Sequence, residues 1–297
     1  METPKPKTNY GIELGIDGVI EREGITIFDS GTTQAGRDHP LMRINRLEQI
    51  DYDRLDEERR YLQYFIGLMK ARRVFTTNEV VSELRSTRHF IPLQANRWRR
   101  DVLQRRQKGE YVDYHERLLA KIEAHEDAFY KMLAEAGDCV LEPGNEAYDQ
   151  VLELIEKIGT TRPDLVEKRS KTQTHSNADE SVSALAMYLC IAENSPAAVL
   201  TMDTDIARLI GPIAIAISND KSKYAYLHSF LLRNPIRVFV ATEKRYEMFF
   251  SSATIDTTRH SIGALRTLEE CCDGFSDFLQ NRLYKLELMA RQRWDAP

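Results

Sequence analysis

The chain has 297 residues, enough for one large domain or two modest ones whose core needs no metal or disulfide to hold it. Its net charge of −5 excludes a global basic footprint, and its four cysteines (Cys139, Cys190, Cys271, Cys272) form no Cys-x-x-Cys pair that would suggest a zinc site or a disulfide framework. The proline-rich start METPKPKTNY lacks an apolar leader and the run IARLIGPIAIAI is too broken to span a bilayer, so a soluble cytoplasmic protein with no membrane partner is expected.

Residues 1–23 read as a tail, after which GITIF reads as a short buried strand ending at Asp29. Leu55, Leu62, Phe65, Ile66 and Met69 share one face of a helix from about Asp53 to Arg72. RRVFTTNEVVSELRS parses as a second strand, Val74 to Thr76, feeding directly into a helix, with Thr76 and Glu79 spaced as a capping box. Residues 92–137 predict two long charged helices broken near Gly109. The stretch from Arg85 to Lys108 holds eight basic residues (Arg85, Arg88, Arg97, Arg99, Arg100, Arg105, Arg106, Lys108) against one acid, Asp101, so a polyanion would be met there.

DCVLEP then predicts a third strand, GNEAYDQVLELIEKIG a helix, and TTRPDLVEKRSKTQTHSN a polar loop in which His175 reads as a loop residue rather than a ligand. ADESVSALAMYLCIAEN predicts a helix, AAVLTMD the fourth strand, TDIARLIG a helix start, NPIRVFVAT the fifth strand and DGFSDFLQNRLYKLELMARQRW a terminal helix. Alternating apolar strands and helices imply an α/β fold of three layers around a parallel sheet of about five strands. Ligands of such sheets sit beyond the carboxyl ends of the strands, where Asp29 and Asp203 both project. Two adjacent carboxylates need a cation or proton between them. Asp179 falls on one helical stripe with Val182, Ala186 and Leu189, which places a charge on a buried face. Glu79 has a capping role to fill and is an outside candidate for the site; Glu83 has none, and is the site candidate of the pair.

Taken alone, ITIFDSGTTQ resembles the Asp-Ser/Thr-Gly-Ser/Thr signature of aspartic proteases and the phosphate loop of sugar and acetate kinases. The first needs a second such motif and an all-β fold, and the second needs further Gly-rich loops; the chain has neither, nor a Walker A loop. Together, IFDSG, TTNEVVSEL, SNADESVSALA and VLTMDTDI resemble, in order, the pattern of PIN-domain nucleases. That resemblance implies a PIN-like domain over 24–259 with a helical insertion at 92–137 and a C-terminal helical extension at 260–297. It implies metal-binding catalytic acids Asp29, Glu83, Asp179 and Asp203, an auxiliary metal acid Asp205, and Thr201 as a hydroxyl near the site.

The implied activity is Mg²⁺- or Mn²⁺-dependent endonucleolytic hydrolysis of phosphodiesters, on single-stranded RNA as the expected nucleic-acid partner, leaving a 5′-phosphate and a 3′-hydroxyl. Carboxylate oxygens suit such hard cations, which can clamp the attacking and leaving oxygens. Arg97, Arg99 and Arg100 are the expected phosphate contacts unless the segment is simply a solvated helix face, and Trp98 is either a stacking surface for an unpaired base or a structural residue. The insertion could instead serve a homo-oligomer or a protein partner. Two other classes stay open: a catalytically inactive RNA-binding or scaffold protein on the same fold, and a phosphatase or kinase using Asp29.

Overall fold

A computed structural model describes residues 13–33, 52–87, 90–110, 113–162, 165–167, 177–202, 204–241, 246–254 and 276–294. Two of the expected strands are β2 (Ile25–Phe28) and β4 (Ala197–Thr201), and they pair in parallel, Phe28 level with Leu200. β3 (Val74–Phe75) flanks β2 and β5 (Ile236–Ala241) flanks β4, both also parallel. All five residues of β4 are buried, so both faces of the sheet are covered there, as a near-continuous apolar run requires.

The sheet carries six strands in the order β1-β6-β5-β4-β2-β3, because two elements absent from the sequence reading extend it. β6 (Tyr246–Ser251) runs antiparallel to β5, and β1 (Glu13–Leu14) runs antiparallel to β6. Residues 13–23 are therefore not a tail. After β1, α1 (Ile16–Glu23) turns Ile16 and Val19 inward and packs near β2 and β4, and Glu23 is tied by an ion pair to Arg237 of β5.

The third expected strand shrinks to one parallel bridge, Thr76 with Val140. Thr76 donates its N–H to the Cys139 carbonyl at 3.0 Å and accepts from the Leu141 N–H at 2.8 Å. The ladder stops there because the chain turns into a helix at Asn78 on one side and meets Pro143, which has no N–H, on the other.

The helices, in chain order, are α2 (Ser30–Thr33), a single turn, then α3 (Tyr52–Lys70), α4 (Asn78–Thr87), α5 (Phe90–Gln107), α6 (Asp113–Asp138), α7 (Glu146–Thr161), α8 (Ala178–Ile191), α9 (Asp205–Asn219), α10 (Ala225–Arg233) and α11 (Ser276–Trp294). The basic segment forms two helices as expected, but they are docked: α6 packs along α3 and α4, and α5 packs on α6. Arg99 on α5 bonds Glu123 at 2.8 Å and Glu126 at 3.1 Å on α6. α11 is likewise integrated, since both Glu287 carboxylate oxygens accept the N–H groups of Tyr226 and Leu227 at 2.9 Å, supplying partners to the open first turn of α10. Among the described residues no helix is long and apolar enough to cross a membrane.

His125 lies on the packed face of α6 at 1% exposure, and burial, reinforced by the charge of Arg59, pulls its imidazole down to about 4. The unfolded chain takes up this proton near pH 6.5 and the folded chain does not, so stability is complete above pH 6.5 and falls as pH drops from 6.5 towards 4. The depression is worth about 3 kcal/mol. Urea unfolding of His125→Gln is expected to lose less stability across that window than the parent chain; parallel pH profiles of the two would show that His125 is not the source.

Candidate functional site

Because β2 and β4 are parallel neighbours, the residues that follow them emerge side by side. The Asp29 N–H donates to the Leu200 carbonyl at 3.0 Å, and the Thr201 hydroxyl donates to Asp29 Oδ2 at 3.1 Å. The Ser30 N–H meets Asp29 Oδ1 at 2.5 Å, so the side chain is aimed by one bond from its own turn and one from the neighbouring strand. Asp29 is 6% exposed and Thr201 fully buried. Thr201 thus orients Asp29 and does not present a hydroxyl to a substrate.

The Ser-Gly-Thr that follows has a packing reason. A Cβ on Gly31 would lie 2.9 Å from Cβ and Cγ of Met202 and 3.4 Å from Asp29 Oδ2, so only glycine lets the two strand-end loops approach this closely. Thr32 is held at three points: its N–H donates to the Asp29 carbonyl at 3.0 Å, its hydroxyl to the Leu200 carbonyl at 2.7 Å, and its own carbonyl accepts the Tyr61 hydroxyl at 2.9 Å. The Tyr61 phenol in turn lies 3.2 Å from that of Tyr246, the first residue of β6. Burial raises Tyr61 to about 12 and lifts Tyr246 well above its ordinary range, with the Tyr61 phenol and the negative charge of Asp29 adding to the Tyr246 shift. Both phenols stay protonated.

The starts of α4 and α8 meet at the same end of the sheet. Thr76 is not a cap: its hydroxyl donates to the Phe28 carbonyl at 3.0 Å. The residue preceding α4 is Thr77, whose hydroxyl accepts the Val80 N–H at 3.5 Å and bonds the Ser181 hydroxyl of α8 at 2.6 Å. A capping box from Thr77 would need Glu or Gln at position 80, where Val80 stands, so Glu79 has no capping role. Instead its charge reaches the half-buried Glu156 of α7. Burial, then the charges of Glu180, Glu79 and Glu153, push Glu156 above the usual carboxylate range. Glu83, one turn further along α4, is half-buried.

Asp179 is the one residue of α8 that is not buried; its neighbour Glu180 is 1% exposed. The helix is enclosed on all sides, so the stripe inferred from Asp179, Val182, Ala186 and Leu189 does not exist as a face. Glu180 packs against Gly159 of α7, where a Cβ would fall 2.1 Å from Oε1, and that glycine is what admits the carboxylate. The association of Glu79 with Glu156 and Glu180 escaped the sequence reading. Its one advance signal was a glutamate inside an otherwise apolar helix.

Asp205 opens α9 at 5% exposure, 3.6 Å from Arg208, an acid at a helix N-terminus where the dipole favours it. The buried Arg162 donates to the Arg208 carbonyl at 2.6 Å and so ties the end of α7 to this turn. Asp203 and His175 lie outside the described residues. The structure therefore brings Asp29 and Thr201 into direct contact and sets Asp205 four residues beyond Thr201. Glu83 lies on α4 and Asp179 in the first turn of α8, the two helices that begin at this end of the sheet. The donors gathered around Asp29 are carboxylate, hydroxyl and carbonyl oxygens, a set that suits a hard divalent cation. Among the described residues, no three His, Cys, Asp or Glu side chains converge enough to hold a metal.

On the basic helix α5, Arg97 and Arg100 are exposed, whereas Trp98 is 2% exposed and part of the core, so it offers no stacking surface. Arg99 is engaged with Glu123 and Glu126, and Arg105 with Asp101 at 3.3 Å. The exposed cations of this segment are Arg97, Arg100, Arg106 and Lys108. Compared with known proteins, the chain matches no family model, no curated protein and no solved structure.

Proposed function

We propose that the chain is a metal-dependent nuclease with a PIN-like site, an endoribonuclease acting on single-stranded RNA. The observation that carries this reading is the pairing of Asp29 with Thr201 across the parallel strands β2 and β4, at the end of the sheet where α4 and α8 also begin. A buried acid at that position of an open α/β sheet stands where such folds bind ligands. Asp29, with Asp203, Asp179, Glu83 and Asp205, would hold Mg²⁺ or Mn²⁺. The ion supplies an activated water and neutralises charge on the phosphoryl oxygens. The chain's own part is orientation. Thr201 and Ser30 fix the Asp29 carboxylate, Thr32 locks the turn behind it, and the exposed Arg97 and Arg100 meet backbone phosphates.

One observation favours a second reading, an RNA-binding or scaffold protein without turnover: each Asp29 carboxylate oxygen already accepts a hydrogen bond from the chain itself. Labelled single-stranded RNA incubated with the purified protein separates the two. The nuclease reading expects internal cleavage with Mn²⁺ or Mg²⁺ that EDTA abolishes, and less on duplex. Salt-sensitive binding with no cleavage in either metal would support the scaffold. Neither binding nor cleavage would overturn both.

A further inference from the structure

We infer that α10 and α11 together carry a second surface for single-stranded RNA, a belt of cations and open aromatic rings at the end of the sheet away from Asp29. This rests on the proposed reading of RNA as the partner and needs no metal. Among the described residues nine large apolar side chains are exposed, and four of them, Leu232, Tyr284, Leu288 and Trp294, lie on these two helices. Such a concentration marks a contact surface rather than scatter. Tyr284, Leu288 and Arg291 follow one another at four and three residues, so they share a face of α11 that leads to Trp294. Arg233, at the end of α10, stands over the Trp294 ring at 5.4 Å, and Arg291 over the Tyr226 ring at 5.9 Å.

Charge selects the partner. The two helices carry Arg233, Arg282, Lys285, Arg291 and Arg293 against Asp277 and Glu287, in a chain whose net charge is −5. Glu287 is buried with both oxygens on the N–H groups of Tyr226 and Leu227, so from Tyr284 to Trp294 no acid is exposed. Arg282 pairs with Glu153, and Arg293 donates to the Ala192 carbonyl at 2.7 Å, which gives both a structural task. Arg233, Lys285 and Arg291 are exposed.

The rings narrow the choice further. Phe230 meets the indole at 5.3 Å and 88°, and Tyr226 at 6.2 Å and 69°, which anchors Trp294 on α10 yet leaves it 43% exposed. Helix dipoles favour a cation in each last turn, but they call for neither an open indole nor the exposed Tyr284 and Leu288. A quaternary ammonium ligand does not fit, because guanidinium groups already lie over two of the rings. An anion with flat faces fits both features: phosphates take the cations, and bases lie on the indole, phenol and guanidinium planes. Arg233 sits three residues before Ile236, which pairs with Ala197 at the start of β4, whereas Asp29 meets Thr201 at its end. The surface and the Asp29 turn therefore lie at opposite ends of the sheet, so this surface holds RNA away from the proposed cleavage site.

The chain has two tryptophans, and Trp98 is 2% exposed, so a change in the solvent-exposed indole emission reports Trp294. In EDTA, titration with an oligouridylate of about 16 nucleotides is expected to quench that emission as bases stack on the ring. Trp294→Ala is expected to weaken binding, read by anisotropy of labelled RNA, by about tenfold. Trp294→Phe should abolish the quench and keep most of the affinity, since a phenyl ring still stacks and still packs on Phe230. Arg233→Gln with Arg291→Gln should flatten the dependence of affinity on salt by about 1.4 units, 0.7 for each phosphate charge met on a single strand. RNA binding that leaves Trp294 unquenched and is unaltered in these variants would overturn this surface and leave the RNA reading standing. No binding by the parent protein at low salt would overturn both. Quenching by polyglutamate or by phosphatidylserine vesicles as strong as by RNA would give the surface to an acidic protein or a membrane, and would overturn the assignment to RNA.

Discussion

Asp29→Asn is expected to lower metal-dependent cleavage by about a thousand-fold or more, about 4 kcal/mol of transition-state stabilisation, while the melting temperature changes little. Asparagine is nearly isosteric and can keep its carbonyl oxygen on the Ser30 N–H, which accepts no substitute. Its amide then faces the Thr201 hydroxyl, which can rotate from donating to accepting. What is lost is the negative charge that would hold the cation in the proposed site. Single-turnover cleavage of labelled RNA with Mn²⁺, beside thermal unfolding without metal, measures both halves. An asparagine variant cleaving as the parent does would sink the assignment of Asp29.

Trp98→Ala is expected to cost about 3–5 kcal/mol of stability, the usual penalty for removing a buried indole. For a chain of this size that lowers Tm by roughly 6–20 °C. The position also bears on the proposed function, because Trp98 sits between the exposed Arg97 and Arg100, and its burial fixes which face of α5 they occupy. Arg97→Ala with Arg100→Ala should leave Tm almost unchanged and flatten the dependence of RNA affinity on salt by roughly two units. A Trp98→Ala protein that melts like the parent but binds single strands more weakly than duplex would restore the indole to the surface.

The parallel centre of the sheet was legible because its strands are short runs of β-branched and aromatic residues, closed by turn chemistry, and because the order of such strands fixes which ends share a rim. That is why Asp29 and Asp203 could be expected on one rim; Asp203 lies outside the described residues, and Thr201, two residues before it, meets Asp29 across 172 positions. The antiparallel edge was not legible. Glu13–Leu14 is too short to show a period, and Tyr246–Ser251 is made a strand by its partner β5. Asp179 was placed on a stripe because a helical period can always be drawn through an apolar helix. With no polar face there is no phase, and Glu180 is as buried as its neighbours. Tyr61 reads from sequence as one more aromatic on a core face, since the direction of a hydroxyl is decided by Thr32 and Tyr246, distant in sequence. Composition leaves Trp98 open between stacking and structure, and its burial selects structure, while two glutamates of the next helix engage Arg99.

The hydrogen bond from Thr201 to Asp29 spans 172 residues, and that span has a meaning on the ribosome. At about 5–20 residues per second, the acid leaves the exit tunnel roughly ten to thirty seconds before the strand that orients it. Until then β2 lacks its central neighbour, and an apolar strand with an open edge waits in the presence of the translating messenger and ribosomal RNA. Because the contact between Asp29 and Thr201 needs late closure of a long loop, the proposed activity would be silent until β4 joins the sheet, and the same delay makes the waiting chains candidates for chaperone capture.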